Sequence, residues 1–389
     1  MRVKKSEALY LISYVLFIID IYIFIEIKYI PTIVWMTCPV IAFMIFISIL
    51  FQKRLTIREL RLHLIILVVF SIASIISNKP QVLVYAALLC GANLTTFKKI
   101  CISCFSTCLT IFLVTASLSA VGILKASSYS RFNVNIKTFG FGYYSIVPFT
   151  FFFLTLEYLY LKSEKQKKAT YVELGVILLL NYILYSLTTL RLTYYLVYLV
   201  ILLYVFLIKF DWIDFHNRII NYLSIMVFPL VFALSIWVNY AFDSTDSVFL
   251  TANRLLSNRL YLGHEALHRY SINLFGNNIV TNASKGADYF YIDSGFLFSL
   301  LGYGVVFTAL MLAIYIYLHS YSVRTNNKML FIWLTVVAVF SFSNNTWISM
   351  QLNPLLLCFP IILKQDNWKV LVFSKKNVHL SEKSVYGTQ

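Results

Sequence analysis

Long apolar runs recur along nearly the whole chain and constrain its fold more than any other feature. Each run has about 17–25 residues, enough for an α-helix to cross about 30 Å of hydrocarbon. Of the 389 residues, 60% are hydrophobic and only 12% are charged, whereas soluble domains have about 25% charged residues. The sequence therefore predicts a single all-α, polytopic integral membrane domain over residues 1–389.

The apolar runs predict about twelve membrane-spanning helices. One run, residues 171–208, would form a single helix of about 57 Å, nearly twice the thickness of the hydrocarbon core. We therefore divide it into two helices joined by a tight turn at residues 188–191. The predicted spans are 8–27, 30–51, 62–77, 81–97, 100–123, 143–162, two within 171–208, 219–239, 295–318, 329–345 and 348–363. An even number of spans places both chain ends on one side of the membrane.

The formal net charge of +16 raises the question of nucleic-acid binding. Most of the 32 Lys and Arg residues lie in short clusters between apolar runs, on the side of both termini in the twelve-span arrangement. Cytoplasmic loops show this excess, and such clusters face anionic lipid headgroups. We therefore predict membrane lipids and no nucleic acid as partners. Both termini and the tail at 364–389 are predicted to be cytoplasmic, and residues 240–293 extracytoplasmic.

Residues 240–293 form the only long polar segment, and we expect it to contain short helices and the chemistry of the protein. Loops outside the membrane usually avoid Lys and Arg. The predicted outer side nevertheless holds Arg131, Arg191, Arg254, Arg259 and Arg269. A planar guanidinium binds two phosphate oxygens at once and stays charged, which makes these residues candidates for binding a pyrophosphate. The alternative is contact with lipid headgroups or with carboxylates of the loop.

Helical spacing predicts how the arginines of this segment are oriented. If residues 250–270 form one helix, its polar face lies opposite an apolar face that packs on the membrane helices. Arg259 lies between the two faces and requires an anion, either a bound phosphate or a loop carboxylate. The polar face consists of Arg254, Asn258, Tyr261, Glu265 and His268, the apolar face of Leu256, Leu260 and Leu267, and the carboxylates are Asp243, Asp246 and Asp288.

Asp293 and Ser294 lie where the polar segment meets the next apolar run. A partly buried carboxylate at this position is suited to act as a general base. The alternative is structural, because either residue would also cap the N-terminus of the following helix.

The histidines and cysteines do not predict a metal site. His264 and His268 have the i, i+4 spacing of two zinc ligands on a helix, but no third ligand is evident. Cys101, Cys104 and Cys108 lie on an apolar helix without a nearby His or carboxylate, so we interpret them as small core residues. We predict neither a metal nor another cofactor.

Three segments resemble motifs of the bacterial polysaccharide polymerases of the Wzy type and of the related O-antigen ligases. Residues 257–262 (SNRLYL), followed by 274–277 (LFGN), resemble a small-Gly-Arg segment and its downstream Phe-Gly, with Asn258 in place of the usual Gly. Asp293-Ser294, nine further residues and Gly304 resemble the ligase signature, with Asp in the position of its His, as polymerases of the Gram-positive type commonly show.

The third segment, residues 187–193 (LTTLRLT), resembles a Ser/Thr-x-Ser-Arg-Thr segment between two spans. A weaker fourth match consists of Arg131 and residues 139–142 (FGFG), which resemble an Arg-rich loop followed by a Gly-Phe-x-His-Pro-Asn segment. The His-Pro-Asn is missing from this chain. The resemblance covers residues 130–310 and agrees with the predicted topology.

The resemblance implies a metal-independent, GT-C-like glycosyltransferase in the bacterial plasma membrane. Such an enzyme polymerises repeat units on the outer face by transferring the growing glycan from undecaprenyl pyrophosphate to the next lipid-linked unit. Arg191 and Arg259 would then bind the pyrophosphate, and Asp293 would orient or deprotonate the acceptor hydroxyl. Further candidates for phosphate or sugar contacts are Arg131, Arg254, His264, His268 and Arg269. The implied partners are undecaprenyl-pyrophosphate-linked oligosaccharides, a flippase and a chain-length regulator.

Two other functions are compatible with a polytopic membrane protein. A carrier or flippase for lipid-linked oligosaccharides would show paired repeats and helices broken by Gly or Pro near the membrane midplane. The chain has only seven prolines and no visible duplication. An O-antigen-type ligase is disfavoured because Asp293 replaces the His of its signature. The sequence favours the polymerase over both.

Overall fold

The computed structural model describes residues 4–28, 30–51, 56–124, 129–131, 134–213, 215, 217–281 and 290–365, so nearly all of the predicted tail at 364–389 lies outside the described residues. The α-helices are α1 (Lys5–Ile21), α2 (Pro31–Leu50), α3 (Ile57–Ser77), α4 (Gln81–Gly91), α5 (Phe97–Ala120), α6 (Ile146–Ser163), α7 (Tyr171–Thr188), α8 (Arg191–Tyr204), α9 (Arg218–Tyr240), α10 (Ser247–Leu255), α11 (Arg259–Arg269), α12 (Gly295–Phe298), α13 (Gly304–Arg324), α14 (Lys328–Ser341) and α15 (Cys358–Gln365). Short π-helical turns are Tyr22–Ile27, Val205–Lys209 and Ser299–Tyr303, and 3₁₀ turns are Ala92–Leu94 and Pro354–Leu357.

Eight helices within the described residues are long and apolar enough to cross a membrane. They are Lys5–Ile27, Pro31–Leu50, Glu59–Ser77, Phe97–Ala120, Tyr171–Thr188, Arg191–Lys209, Ile219–Tyr240 and Gly295–Arg324. Met36, Ile75 and Val172 are highly exposed on the outside of the bundle, as expected for a surface that contacts lipid. The prediction of a polytopic helical membrane protein is confirmed. The count of twelve stays a prediction, because the apolar helices Gln81–Leu94, Lys328–Ser341 and Pro354–Lys364 are shorter.

The predicted division of residues 171–208 into two helices is confirmed. α7 ends at Thr188, Thr189 adopts the left-handed conformation with a φ of 54°, and α8 begins at Arg191. The side-chain amide of Asn181 donates to the carbonyl oxygen of Tyr194 at 3.0 Å and joins the two helices. The length of the run was therefore a reliable signal for a turn.

One small β-hairpin departs from the all-α prediction. β1 (Tyr129–Arg131) pairs antiparallel with β2 (Val134–Ile136). The N–H of Lys137 donates to the carbonyl oxygen of Leu187 at 3.1 Å. This bond fixes the hairpin segment to the end of α7, close to the turn that precedes Arg191.

The long helices run alternately between two ends of the bundle. We call the end that carries residues 241–281 and 290–293 the loop end, and the end that carries the turn 164–170 the opposite end. Ion pairs join helix termini at the opposite end, where Lys328 pairs with Asp211 and Lys162 pairs with Glu173. The cytoplasmic location of the opposite end stays a prediction.

The predicted spans 329–345 and 348–363 have the wrong boundaries. α14 ends at Ser341, and residues 342–353, which we call the polar bend, fold as consecutive turns before the next helical residues. α15 returns to the opposite end, where Lys364 lies 3.9 Å from Glu59. The polar side chains of the bend are largely buried, including Ser343, Asn344, Thr346, Gln351 and Asn353. A non-helical segment therefore lies inside the bundle where the sequence predicts two continuous helices.

Two glycines fix the loop to the start of α13 by backbone contact. Gly276 and Gly304 both have a φ of +90°. A Cβ on Gly276 would lie 2.2 Å from the carbonyl oxygen of Gly302, and one on Gly304 would lie 2.4 Å from the nitrogen of Gly276. The first N–H groups of α13 use this contact, because Val305 donates to the carbonyl oxygen of Asn273 at 3.1 Å. The loop thus supplies acceptors that a helix N-terminus lacks.

Gly276→Ala and Gly304→Ala are each expected to destabilise the protein by at least about 2 kcal/mol, because backbone strain and a steric clash add. The measurement is the shift in thermal unfolding of the purified protein in detergent.

Two other glycines serve as controls for this prediction. Gly122 has a φ of +79° but no atom within 4 Å of its Cβ position, and Gly175 lies inside α7 with similar open space. Gly122→Ala is expected to cost only the backbone strain, about 1 kcal/mol, and Gly175→Ala to be neutral or slightly stabilising. If Gly276→Ala and Gly122→Ala destabilise the protein equally, the close contact of Gly276 with the carbonyl oxygen of Gly302 does not matter for stability.

Candidate active site

The predicted single helix over residues 250–270 is wrong, because the chain breaks between α10 and α11. Ser257 and Asn258 adopt the left-handed conformation, with φ values of 57° and 66°. Asn253 stabilises the break. Its carbonyl oxygen accepts a hydrogen bond from the N–H of Asn258 at 2.8 Å, and its side-chain oxygen accepts one from the N–H of Tyr261 at 3.1 Å. The residues of the predicted polar face are therefore divided between two helices.

Asn258 determines where α11 begins. Asn tolerates the left-handed conformation better than other residues with a side chain, which explains why it can stand where the family that the segment resembles usually has Gly. Arg259 follows as the first residue of α11. The N–H groups and the dipole at a helix N-terminus attract anions. The guanidinium of Arg259 therefore adds a full positive charge to a helix end that is already electropositive.

α11 lies directly on the last turns of α9. A Cβ on Gly263 would lie 1.8 Å from the side-chain oxygen of Asn239, so a side chain at this position would require Asn239 to move. The Nδ1 atom of His264 donates to the carbonyl oxygen of Asn239 at 3.1 Å. The Nε2 atoms of His264 and His268 are 3.1 Å apart. His264 thus holds α11 on α9, and no group of three potential metal ligands occurs in the described part of the chain.

Arg259 and Asp293 form an ion pair at the loop end. The Nε atom of Arg259 lies 3.4 Å from the Oδ2 atom of Asp293, and the two side chains are 19% and 23% exposed. A charge-assisted hydrogen bond would be shorter, about 2.7–2.9 Å. The pair therefore combines opposite charges that are partly shielded from water but are not locked together.

The capping role that the sequence left open belongs to Ser294. Its Oγ atom accepts a hydrogen bond from the N–H of Leu297 at 3.3 Å and lies 3.0 Å from the Oγ atom of Ser235 on α9. Asp293 precedes the cap and pairs with Arg259 instead. Asp293 is thus not required for the helix cap.

The other carboxylates considered as partners of Arg259 have different roles or lie outside the described residues. Asp246 accepts a hydrogen bond from the N–H of Val248 at 2.7 Å and caps α10. Asp243 accepts hydrogen bonds from the backbone N–H and the hydroxyl of Thr245, which lower the pKa of its carboxyl. Asp288 lies outside the described residues.

The remaining arginines are placed differently. Arg269 pairs with Glu265 at 2.8 Å, and its guanidinium lies 4.4 Å from the centre of the Phe290 ring. Arg254 is exposed on α10. Both belong to the loop end, but the guanidinium of Arg269 is already occupied by protein contacts.

Arg191 is exposed at the first turn of α8 and makes no hydrogen bond or ion pair with other described residues. α8 packs on α6, α7 and α14, whereas α11 packs on α9. The structure thus unites Arg259 with Asp293 and leaves Arg191 at another position of the loop end. The side chain of Arg131 lies outside the described residues.

An open apolar groove of about 490 Å³ lies between α9 and α13 in the half of the bundle nearer the loop end. Trp237 and Tyr240 are 60% and 74% exposed, so the groove opens onto the surface that a membrane would cover. On another face of the same turns of α9, Ser235 and Asn239 contact the site. The groove is lined by Phe232, Ala233, Ile236, Trp237, Tyr240, Leu300, Val305, Thr308, Ala309 and Leu312.

Sequence reasoning missed Ser235 and Asn239, which connect the loop to the bundle. They lie four residues apart in the predicted span 219–239, so a polar i, i+4 pair on an apolar helix was the available signal. The polar bend was also missed. Its signal was the density of Ser, Asn, Thr and Gln in residues 343–353.

Comparison of the chain with protein-family models, with curated proteins and with solved structures gives no match in any of the three. The candidate site is therefore defined by its residues and their geometry.

Proposed function

We propose that the protein is a glycosyltransferase that polymerises lipid-linked oligosaccharide repeat units at the outer face of a bacterial plasma membrane. The Arg259–Asp293 ion pair carries the proposal. It brings a guanidinium and a carboxylate together at the loop end of a membrane bundle, at a helix N-terminus. Both residues belong to segments that resemble the Wzy-type polymerases.

The proposed reaction transfers a glycosyl group without any change of oxidation state. The acceptor hydroxyl oxygen attacks the anomeric carbon of the growing glycan. The bond between that carbon and the pyrophosphate oxygen breaks, and the hydroxyl proton passes to the carboxylate of Asp293. The undecaprenyl pyrophosphate leaves as an anion, and Arg259 together with the first turn of α11 stabilises the charge that develops on it.

The loose contact between Arg259 and Asp293 suits this division of roles. Because the Nε–Oδ2 distance is 3.4 Å, phosphate oxygens can displace the carboxylate from the guanidinium at little cost. Arginine binds two phosphate oxygens through two parallel hydrogen bonds, which are stronger than a single long contact to a carboxylate. Binding of the donor would thus free Asp293 to accept a proton.

The groove between α9 and α13 supports the proposal because the substrate has two chemically different parts. A polyprenyl tail needs an apolar surface that is open to the membrane, and the pyrophosphate needs cations at the membrane boundary. The groove and the pair provide these surfaces on neighbouring faces of α9. We assign the tail to the groove.

We assign supporting roles to other residues of the loop end. Arg191 lies apart from the Arg259–Asp293 pair, and its exposed side chain makes no competing ion pair with other described residues, so we keep it only as a candidate for a separate phosphate contact. Further candidates for phosphate or sugar contacts are Arg131, Arg254, Arg269, His264 and His268.

A flippase would supply the repeat units, and a chain-length regulator would set the product size. Both termini are placed in the cytoplasm.

A carrier for lipid-linked oligosaccharides is the second candidate, and Glu157 is the observation that favours it. Its side chain is 1% exposed within α6, where the described residues offer its carboxyl oxygens no partner other than the nearby thiol of Cys104. Ionisable groups buried in membrane helices are typical of transport pathways. A ligase is a third candidate that shares the chemistry of the polymerase but uses a different acceptor.

The proposed orientation is testable by cysteine labelling, because all six native cysteines are buried and give little background. Ser244 lies at the loop end and Ser163 at the opposite end, and both are exposed. In intact cells, a membrane-impermeant maleimide is expected to label Ser244→Cys and to label Ser163→Cys only after permeabilisation. The reverse pattern would place the candidate site in the cytoplasm.

Arg259→Ala and Asp293→Ala are each expected to reduce polymer formation at least about 100-fold, because each removes a group that acts on the reacting bond. The measurement is the glycan ladder of a deletion strain complemented with each variant, together with the amount of protein in the membrane. A polymerase defect leaves single repeat units on the outer face, whereas a carrier defect leaves them on the inner leaflet.

Two charged residues at the opposite end provide controls for these variants. Asp211→Asn removes the partner of Lys328, and Arg61→Ala removes an exposed arginine. Both controls are expected to give a normal ladder. Polymer of normal length from both Arg259→Ala and Asp293→Ala would refute the assigned site.

Arg259→Lys tests whether the geometry of the guanidinium matters beyond its charge. Lysine keeps one positive charge but cannot bind two phosphate oxygens in parallel. We expect the variant to make no more polymer than Arg259→Ala in the same ladder assay. Full activity would show that charge alone is sufficient.

A further inference from the structure

His264 and His268 of α11 face each other at the loop end, where the first side chain is partly exposed and the second is exposed. Residues 264–268 read His-Glu-Ala-Leu-His. In the His-Glu-x-x-His pattern, two histidines on one face of a helix bind a zinc ion. The spacing alone does not predict a metal site, because it does not fix the orientation of the two rings. The structure supplies that orientation.

The contact of His264 with α9 determines which of its ring nitrogens is free. Its Nδ1 atom donates to the carbonyl oxygen of Asn239 at 3.1 Å, and the ring of Phe242 packs against the imidazole. A carbonyl oxygen only accepts, so the neutral His264 ring carries its proton on Nδ1 and keeps a lone pair on Nε2. Histidines that bind metals commonly have such a hydrogen bond from the other ring nitrogen to a backbone carbonyl.

The separation of the two Nε2 atoms suits two ligands of one metal ion. These atoms are 3.1 Å apart, and the ring planes are inclined by 70°. Two nitrogens bound to a tetrahedral zinc ion at about 2.0–2.1 Å lie about 3.3–3.4 Å apart. Without a metal, the Nε2–H of His268 donates to the lone pair of His264. A metal ion would replace that proton with only a small movement of the rings.

The surroundings of the pair favour a cation. The carboxylate of Asp243 lies on the side of His264, and hydrogen bonds from Thr245, together with the charge of His264, lower the pKa of that carboxyl. Imidazole nitrogens suit zinc, copper and nickel ions. The described residues contain no group of three potential metal ligands, so water would complete the coordination.

The histidine pair is separate from the Arg259–Asp293 pair. At 3.6 residues per turn and 1.5 Å per residue, His268 lies on the side of α11 opposite Arg259 and about 13 Å further along the axis. Glu265 would be the general base of a zinc-dependent hydrolase, but its carboxylate pairs with Arg269 at 2.8 Å. The arrangement therefore suits metal binding and lacks a general base for hydrolysis.

We propose that His264 and His268 form a surface site for a divalent transition-metal ion, for which zinc is the best fit. Both Nε2 atoms are ligands, and water fills the remaining positions. Because the two ligands span one turn of α11, a metal ion that binds only the folded helix stabilises it. The site goes beyond the proposed glycosyl transfer and does not depend on it.

The test is a calorimetric zinc titration of the purified full-length protein in detergent, after removal of any polyhistidine tag. The wild type is expected to bind one zinc ion. His268→Ala is expected to bind zinc at least about tenfold more weakly, since even the loss of an outer-shell partner weakens metal binding by about 10–100-fold. Zinc is also expected to raise the thermal unfolding midpoint of the wild type more than that of His268→Ala.

X-ray absorption at the zinc edge distinguishes this site from zinc bound elsewhere on the protein. The wild type with one equivalent of zinc is expected to show two imidazole ligands at about 2.0–2.1 Å. A spectrum with oxygen or sulfur ligands only would overturn the site.

Glu265→Gln is a matched control on the same turn of α11, because it removes a charge without removing a proposed ligand. It is expected to bind zinc with nearly the affinity of the wild type. Equal zinc affinity of the wild type and His268→Ala, or an equal loss in Glu265→Gln, would overturn the site.

His268→Asn keeps the test decisive if His268→Ala does not fold. Asparagine retains a polar side chain at this exposed position, but its amide is a poorer ligand for zinc than imidazole. The variant is expected to lose as much zinc affinity as His268→Ala. Wild-type zinc affinity in His268→Asn would also overturn the site.

Discussion

The candidate site depends on two places where a glycine of the loop lies directly against the bundle. Gly276 lies on the backbone of Gly302 and Gly304, which fixes the loop to the start of α13. Gly263 lies on the side chain of Asn239, which fixes α11 to α9. α9 and α13 pack on each other, so both contacts attach the loop to the same pair of helices. A long surface loop would otherwise lose much conformational entropy to hold two charged groups at a set separation. Here the bundle already holds the segments on which Arg259 and Asp293 lie.

Local backbone conformations also explain the positions of the motif residues. Asn258 supplies the left-handed residue that lets α11 begin at Arg259, and Ser294 supplies the cap that lets α12 begin without using Asp293. Gly304 has no side chain, but its φ of +90° and its contact with Phe275 and Gly276 connect the start of α13 to the loop. The segments that carry Gly276 and Gly304 are therefore in direct contact, as are those that carry Arg259 and Asp293, whereas the segment of Arg191 lies apart.

Features that depend on length and composition could be predicted from the sequence, whereas features that depend on single backbone conformations could not. The break between α7 and α8 followed from the length of the apolar run. The need of Arg259 for an anion was predicted, but its partner Asp293 was not among the carboxylates named for it. The wrong helix over 250–270 arose because helical spacing cannot detect left-handed residues at Ser257 and Asn258. The polar bend was missed because its apolar neighbours kept the average hydropathy high. Arg191 shows a third limit, since sequence order does not reveal which side chains of one bundle end will meet.

The arrangement of the site agrees with the free-energy cost of burying polar groups, which rises with depth in a membrane. Charged groups are expensive in hydrocarbon, and Arg259 and Asp293 lie at the loop end, where water and headgroups reach them. The polar bend lies deeper and uses only neutral groups, while the lipid-facing groove is apolar. α12 is the element that these regions share. Asp293 and Ser294 precede it, Ser294 contacts the α9 helix that forms one wall of the groove, and Gly295 contacts the bend. The site carboxylate, the groove and the bend are therefore arranged around one short helix, and any shift of that helix would change all three together.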